Sequence, residues 1–126
     1  MRKTAFFILI VFLFAGVNRL SAQSLQNTAW KFYVDALHDT LTMHIGADTA
    51  YSTSSTGELI VRSHIEVVKD TLKLRDIDGE YPCMDGEGVY RFTVDGDYLS
   101  FFLVNDPCEN RSGALRDLKM KRTDGK

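Results

Sequence analysis

The sequence predicts an all-β fold: a single eight-stranded antiparallel up-and-down barrel over residues 23–126, behind a secretory signal peptide over residues 1–22. Three observations predict it. Apolar and polar residues alternate with period 2 through most of the region after residue 23, and no helical period competes with them. Turn-forming residues break this region into short runs. No linker-like stretch divides it, so one domain is expected. Eight sequential strands with one apolar face can close on themselves and leave no unpaired edge; a sandwich of two four-stranded sheets is the alternative.

Met1-Arg2-Lys3 is a basic head, AFFILIVFLFAGV is an apolar run, and Leu20-Ser21-Ala22 is a small-residue cleavage site. This is the three-part plan of a signal peptide. The run is shorter than the roughly 18 to 20 apolar residues that span a bilayer. A secreted or periplasmic location follows, with no membrane span in the mature chain. The leader takes Arg2, Lys3 and Arg19 with it, which makes the remaining domain more acidic than the fifteen basic and seventeen acidic residues of the whole chain suggest.

The strands follow in order. Trp30, Phe32 and Val34 share one parity, then Leu41, Met43 and Ile45. A small polar strand spans residues 50–54, with Tyr51 its one large side chain, and Ser55-Thr56-Gly57 turns the chain. Leu59, Val61, Ile65 and Val67 form the inner face of a long fourth strand, and Leu72 and Leu74 that of the fifth, after a turn at Lys69-Asp70. A loop rich in acids and glycine spans residues 78–87. Tyr90, Phe92 and Val94 come next, then a tight turn at Asp95-Gly96, then Leu99, Phe101 and Leu103. Phe102 and Val104, of opposite parity, are expected outside. Residues 105–113 read as a polar loop. A last strand runs from Ala114 to about Arg122, its parity slipping between Leu115 and Leu118, which predicts a bulge at Arg116-Asp117.

Two cysteines entering an oxidising space most often pair. Cys83 and Cys108 are too far apart for a CxxC motif and have no histidine beside them, so a disulfide is favoured over metal ligation or free thiols. In an up-and-down barrel, the fifth-to-sixth and seventh-to-eighth connections lie at the same end. The bond would therefore staple two neighbouring loops at the barrel mouth.

Little else carries chemistry. His44 and His64 fall on the polar parity of their strands, and His38 lies in a loop beside Asp39. No Ser, His and acid stand in a catalytic arrangement, so no enzyme activity, catalytic residue or cofactor is expected. The acidic residues of DIDGE, with Asp85 and Glu87 nearby, lack EF-hand spacing and read as a solvated turn, so no metal is expected. No basic patch tracks a nucleic-acid backbone; Arg116, Lys119, Lys121 and Arg122 are interrupted by acids and read as a solvated face. Asp106 and Arg111 flank Cys108, either as a loop-holding pair or as a charged group meeting a polar ligand head.

The order of NTAW, the DTLKLRD strand, the Cys83 loop leading into GVYRF, GDYL, and finally VNDPCENR resembles the small secreted bacterial lipocalin-like (calycin) barrels. The resemblance covers most of the region after the leader. It implies a lipocalin-like barrel in which a basic residue after the last strand, here Arg122, packs over the first-strand Trp30 at the closed end. It also implies a secreted, non-enzymatic binder of a small apolar or amphipathic molecule, monomeric or weakly dimeric. Tyr51, Tyr90, Phe92 and Phe101 would line the lumen, with Arg111 at the mouth. The alternative is a protein-interaction module. The chain is similar in size, export and Trp strand to small barrel protease inhibitors, which would act on a secreted protein through a free N-terminal segment, here residues 23–27.

Overall fold

The computed structural model describes residues 25–123; the expected signal peptide lies outside them. The strands are β1 (Thr28–Val34), β2 (Asp39–Ile45), β3 (Thr49–Thr53), β4 (Leu59–Val68), β5 (Thr71–Asp78), β6 (Gly88–Asp95), β7 (Tyr98–Asn105) and β8 (Lys119–Arg122). A 3-10 turn (Asp35–Leu37) joins β1 to β2, and one short helix, α1 (Glu109–Leu115), precedes β8. Each strand pairs antiparallel with the next, and β8 pairs with β1, closing the barrel. No helix among the described residues is long and apolar enough to cross a membrane.

The period-2 pattern places the core. Trp30, Phe32, Leu41, Met43, Ile45, Leu72, Leu74, Tyr90, Phe92, Leu99 and Phe101 are all buried, while their neighbours of opposite parity face out. Phe102 and Val104 are exposed on the outside of β7. The β6–β7 turn needs positive φ, and Gly96 supplies it at +58°.

Three readings of the sequence are corrected. Tyr51 lies outside the barrel: it is exposed and stacks on His44, with ring centroids 4.6 Å apart, and Ala50 and Ser52 turn inward instead. Bulky side chains from β1, β2, β6 and β7 already fill the interior, so β3 contributes small ones.

On β4, Leu59 and Val61 are half-buried and Ile60 is buried. The register against β3 passes from Ser52↔Val61 to Thr53↔Leu59, so Ile60 is the extra residue of a bulge and the face switches there.

The parity slip between Leu115 and Leu118 is not a strand bulge. Residues 109–115 are helical, and β8 is only four residues long. Cys108 caps α1, its sulfur accepting from the Arg111 amide at 3.5 Å, and Ser112 Oγ donates to the Glu109 carbonyl. Buried Arg111, Ser112 and Leu115 make the helix's inner face. α1 thus occupies the upper half of the eighth stave: β8 reaches only Tyr98–Ser100 of β7 and Trp30–Lys31 of β1.

One end is closed. At the end carrying the β2–β3, β4–β5 and β6–β7 turns, Leu25 is buried against the core and Trp30 is fully covered. Trp30 Nε1 donates to Thr28 Oγ1 at 2.7 Å, and the Arg122 guanidinium carbon sits 4.5 Å from the Trp30 ring centroid. The segment over residues 25–27, read from sequence as part of a free N-terminal arm, is therefore built into the fold; the Asn27 amide also donates to the Ile45 carbonyl.

Candidate functional site

The opposite end, the mouth, carries the β1–β2, β3–β4, β5–β6 and β7–β8 connections. Cys83 and Cys108 are bonded there, with Cα atoms 6.3 Å apart. The bond joins the loop over residues 79–87 to the start of α1.

Arg111 organises this end. The helix turns its side chain inward beneath the disulfide, where it is 7% exposed. Nε donates to Asp106 Oδ2 and Nη2 to Asp106 Oδ1, both at 2.8 Å, a two-pronged pair. Nη2 also reaches the Gly86 carbonyl at 3.0 Å, and Nη1 reaches the Cys83 carbonyl at 3.4 Å and Asp76 Oδ1 at 3.5 Å. An arginine has five N–H donors. Four hydrogen bonds and the approach to Asp76 aim the guanidinium at the loops and carboxylates it ties together. Arg111 is a loop-holding residue.

The carboxylates are equally engaged. Asp106 also accepts from the Tyr90 hydroxyl and from the Cys108 amide at 2.9 Å. Asp76 Oδ1 accepts from Ser63 Oγ and Asp76 Oδ2 from the Cys83 amide, each at 2.7 Å. Gly88 leaves room for the cluster, since a Cβ there would stand 2.8 Å from Asp106 Oδ2 and 3.1 Å from Arg111 Nε. No buried side-chain nitrogen or oxygen among the described residues lacks a partner.

Burial by itself would raise the Asp106 carboxyl. The hydrogen bonds from Arg111, then from Tyr90 and the Cys108 amide, outweigh it and hold the group below its ordinary value of 3.8. Burial first, and the bond to Asp106 second, push the Tyr90 phenol upward.

Of the residues read from sequence as lumen and mouth, Tyr90, Phe92 and Phe101 lie inside, Arg111 lies in the buried cluster, and Tyr51 lies outside. Asp76 and Ser63 were missed. Asp76 shares the parity of Leu72 and Leu74, a signal that points it inward, but its sequence neighbours Asp78 and Glu80 make it look like part of a solvated loop.

Tyr90 and Phe101 are fully covered and belong to the core that fills the barrel axis, as do Trp30, Leu99 and Met120. Among exposed acidic residues, the mouth presents two large apolar side chains. Tyr81 and Met84, on the stapled loop, are 59% and 67% exposed. The loop is nonetheless fixed: the Tyr81 amide donates to the Ile60 carbonyl at 3.0 Å, and Gly79, at φ +123°, packs so closely on the same carbonyl that a Cβ would come within 2.5 Å of it. No protein-family model, curated protein or solved structure matches the chain.

Proposed function

We propose that this chain is an exported, non-enzymatic barrel of lipocalin-like design that works as a protein-interaction module through its stapled mouth loop. The observation that carries the reading is the burial of Trp30, Tyr90, Leu99, Phe101 and Met120 in the barrel core, with Leu25 covered at one end and Arg111 at the other, which supports a filled axis. A small apolar ligand would have to displace core side chains, each worth about 1.5–3 kcal/mol of burial. The surface offers a cheaper way to bind. Tyr81 and Met84 are held outward on a loop fixed by a disulfide, by hydrogen bonds to Asp76, Arg111 and Ile60, and by a glycine that a larger residue could not replace. A loop ordered in advance loses little entropy on association, and exposed aromatic and methionine side chains are common interface anchors. Leu25 and Asn27 are engaged in the fold, so this reading places the contact on the mouth loop and not on the N-terminal segment.

A photoreactive side chain at position 84, in protein recovered with its host's extracellular fraction, is expected to crosslink to one partner protein. The same probe at Thr93, on the exposed barrel wall, is expected to give none. Tyr81→Ser should weaken that partner's binding by about 30-fold with the melting temperature unchanged, as for a buried anchor worth about 2 kcal/mol. Equal crosslinking from positions 84 and 93, or binding unaffected by Tyr81→Ser, would contradict the reading.

A further inference from the structure

The seam that closes the barrel has an unusual charge arrangement. β1 and β2 pair over seven positions, but β1 and β8 pair over only two, Trp30↔Arg122 and Lys31↔Lys121. The second of these sets two lysines directly opposite each other across the seam. Like charges in that position destabilise a sheet. Lys119, two residues along β8, is 4.5 Å from the Tyr98 ring centroid and adds a third cation to the same face.

Carboxylates are not scarce in this chain, which has seventeen acidic residues to fifteen basic ones. Elsewhere on the wall they are used: Arg62 pairs with Asp78 at 3.1 Å and Arg75 approaches Glu87 at 3.9 Å. Among the described residues, no carboxylate pairs with Lys31 or Lys121. Beside the two lysines is an open hollow of about 420 Å³, lined by Lys31, Lys121, Arg122 and Thr123. It brings together two lysines paired across the seam and a threonine that can supply a hydroxyl donor.

We propose that this hollow is an anion site for a phosphate group, which bridges Lys31 and Lys121 and so clamps the barrel's shortest seam. A phosphate dianion removes the lysine–lysine repulsion and has enough acceptor oxygens for both ammoniums and the Thr123 hydroxyl. Because the site spans two strands that meet only in the folded chain, binding stabilises the fold. The mouth loop lies at the other end, so the two proposals stand or fall separately.

The test is thermal melting of the exported protein in sodium phosphate and in sodium chloride at equal ionic strength. Wild type is expected to melt roughly 6 °C higher at about tenfold excess of phosphate over its Kd. Lys31→Gln and Lys121→Gln should each abolish that rise, and each should melt no lower than wild type in chloride, because the opposed charge is gone. Cosedimentation with phosphatidylcholine vesicles containing phosphatidic acid, lost in Lys121→Gln, would identify the phosphate as a lipid headgroup. A response to free phosphate alone would identify a soluble ligand; either supports the site. No phosphate response in wild type, or an equal response in wild type and both variants, would overturn the proposal.

Discussion

Replacing Arg111 with methionine is expected to destabilise the fold by about 3–5 kcal/mol, the cost of removing one partner from a buried ion pair. The Asp106 side chain is 0% exposed and that of Asp76 is 4%, so neither carboxylate can turn to water when the guanidinium is lost. Methionine keeps most of the side chain's apolar bulk, which confines the effect to charge and hydrogen bonding. The pH dependence should also change sign. In wild type the folded Asp106 pKa lies below its ordinary value of 3.8, so its contribution is complete above that value and is lost as pH falls through the folded pKa. In Arg111→Met the burial that Arg111 offset is left unopposed by it, and Asp106 is destabilising at neutral pH. Acidification from pH 7 toward pH 4 should therefore narrow the gap between the two proteins. Urea denaturation at both pH values measures this; a gap that stays constant or widens on acidification would contradict the assignment.

Removing the disulfide by Cys83→Ala with Cys108→Ala is expected to cost about 3 kcal/mol from the freed chain alone, for a sequence separation of 25. The Cys108 sulfur also caps α1, so a further cost of about 1 kcal/mol comes from the helix start. Together these should lower the melting temperature by roughly 15 °C for a domain of this size. Amide exchange should quicken everywhere that it requires global unfolding, and most over residues 79–87 and in α1, where local opening adds to it. The Cys83 carbonyl and the Cys108 amide both belong to the Arg111 cluster, so the disulfide and Arg111 substitutions should be non-additive in combination. Equal quickening at all sites, with no excess over residues 79–87 and α1, would show that the staple acts through the unfolded chain alone.

The architecture was legible in the sequence wherever one apolar parity ran unbroken. β1, β2, β6 and β7 follow directly from Trp30-Phe32, Leu41-Met43-Ile45, Tyr90-Phe92 and Leu99-Phe101, and Asp95-Gly96 marks their tightest turn. Alternation failed where neighbours decide. Hydrophobicity alone sends Tyr51 inward, but the space opposite is already filled, and only the assembled barrel shows that Ala50 and Ser52 fit there. Helix α1 was illegible because seven residues are too few for a clear 3.6 period; its signals are a cysteine cap and a buried arginine, neither of which is apolar. The mouth cluster was half legible. Asp106 and Arg111 are near neighbours in the chain, but Ser63 and Asp76 reach them only through the β4–β5 pairing and the folding-over of the stapled loop.

A barrel packed solid along its axis should carry no small molecule inside it. Native mass spectrometry of the purified protein, prepared without organic solvent and followed by displacement of a fluorescent fatty acid, tests this most directly. The expected result is the mass of the polypeptide with its one disulfide and nothing more, and no fluorescence change on titration. A stoichiometric apolar molecule carried through purification, or saturable displacement that is lost when a core residue such as Phe92 is enlarged to tryptophan, would contradict it.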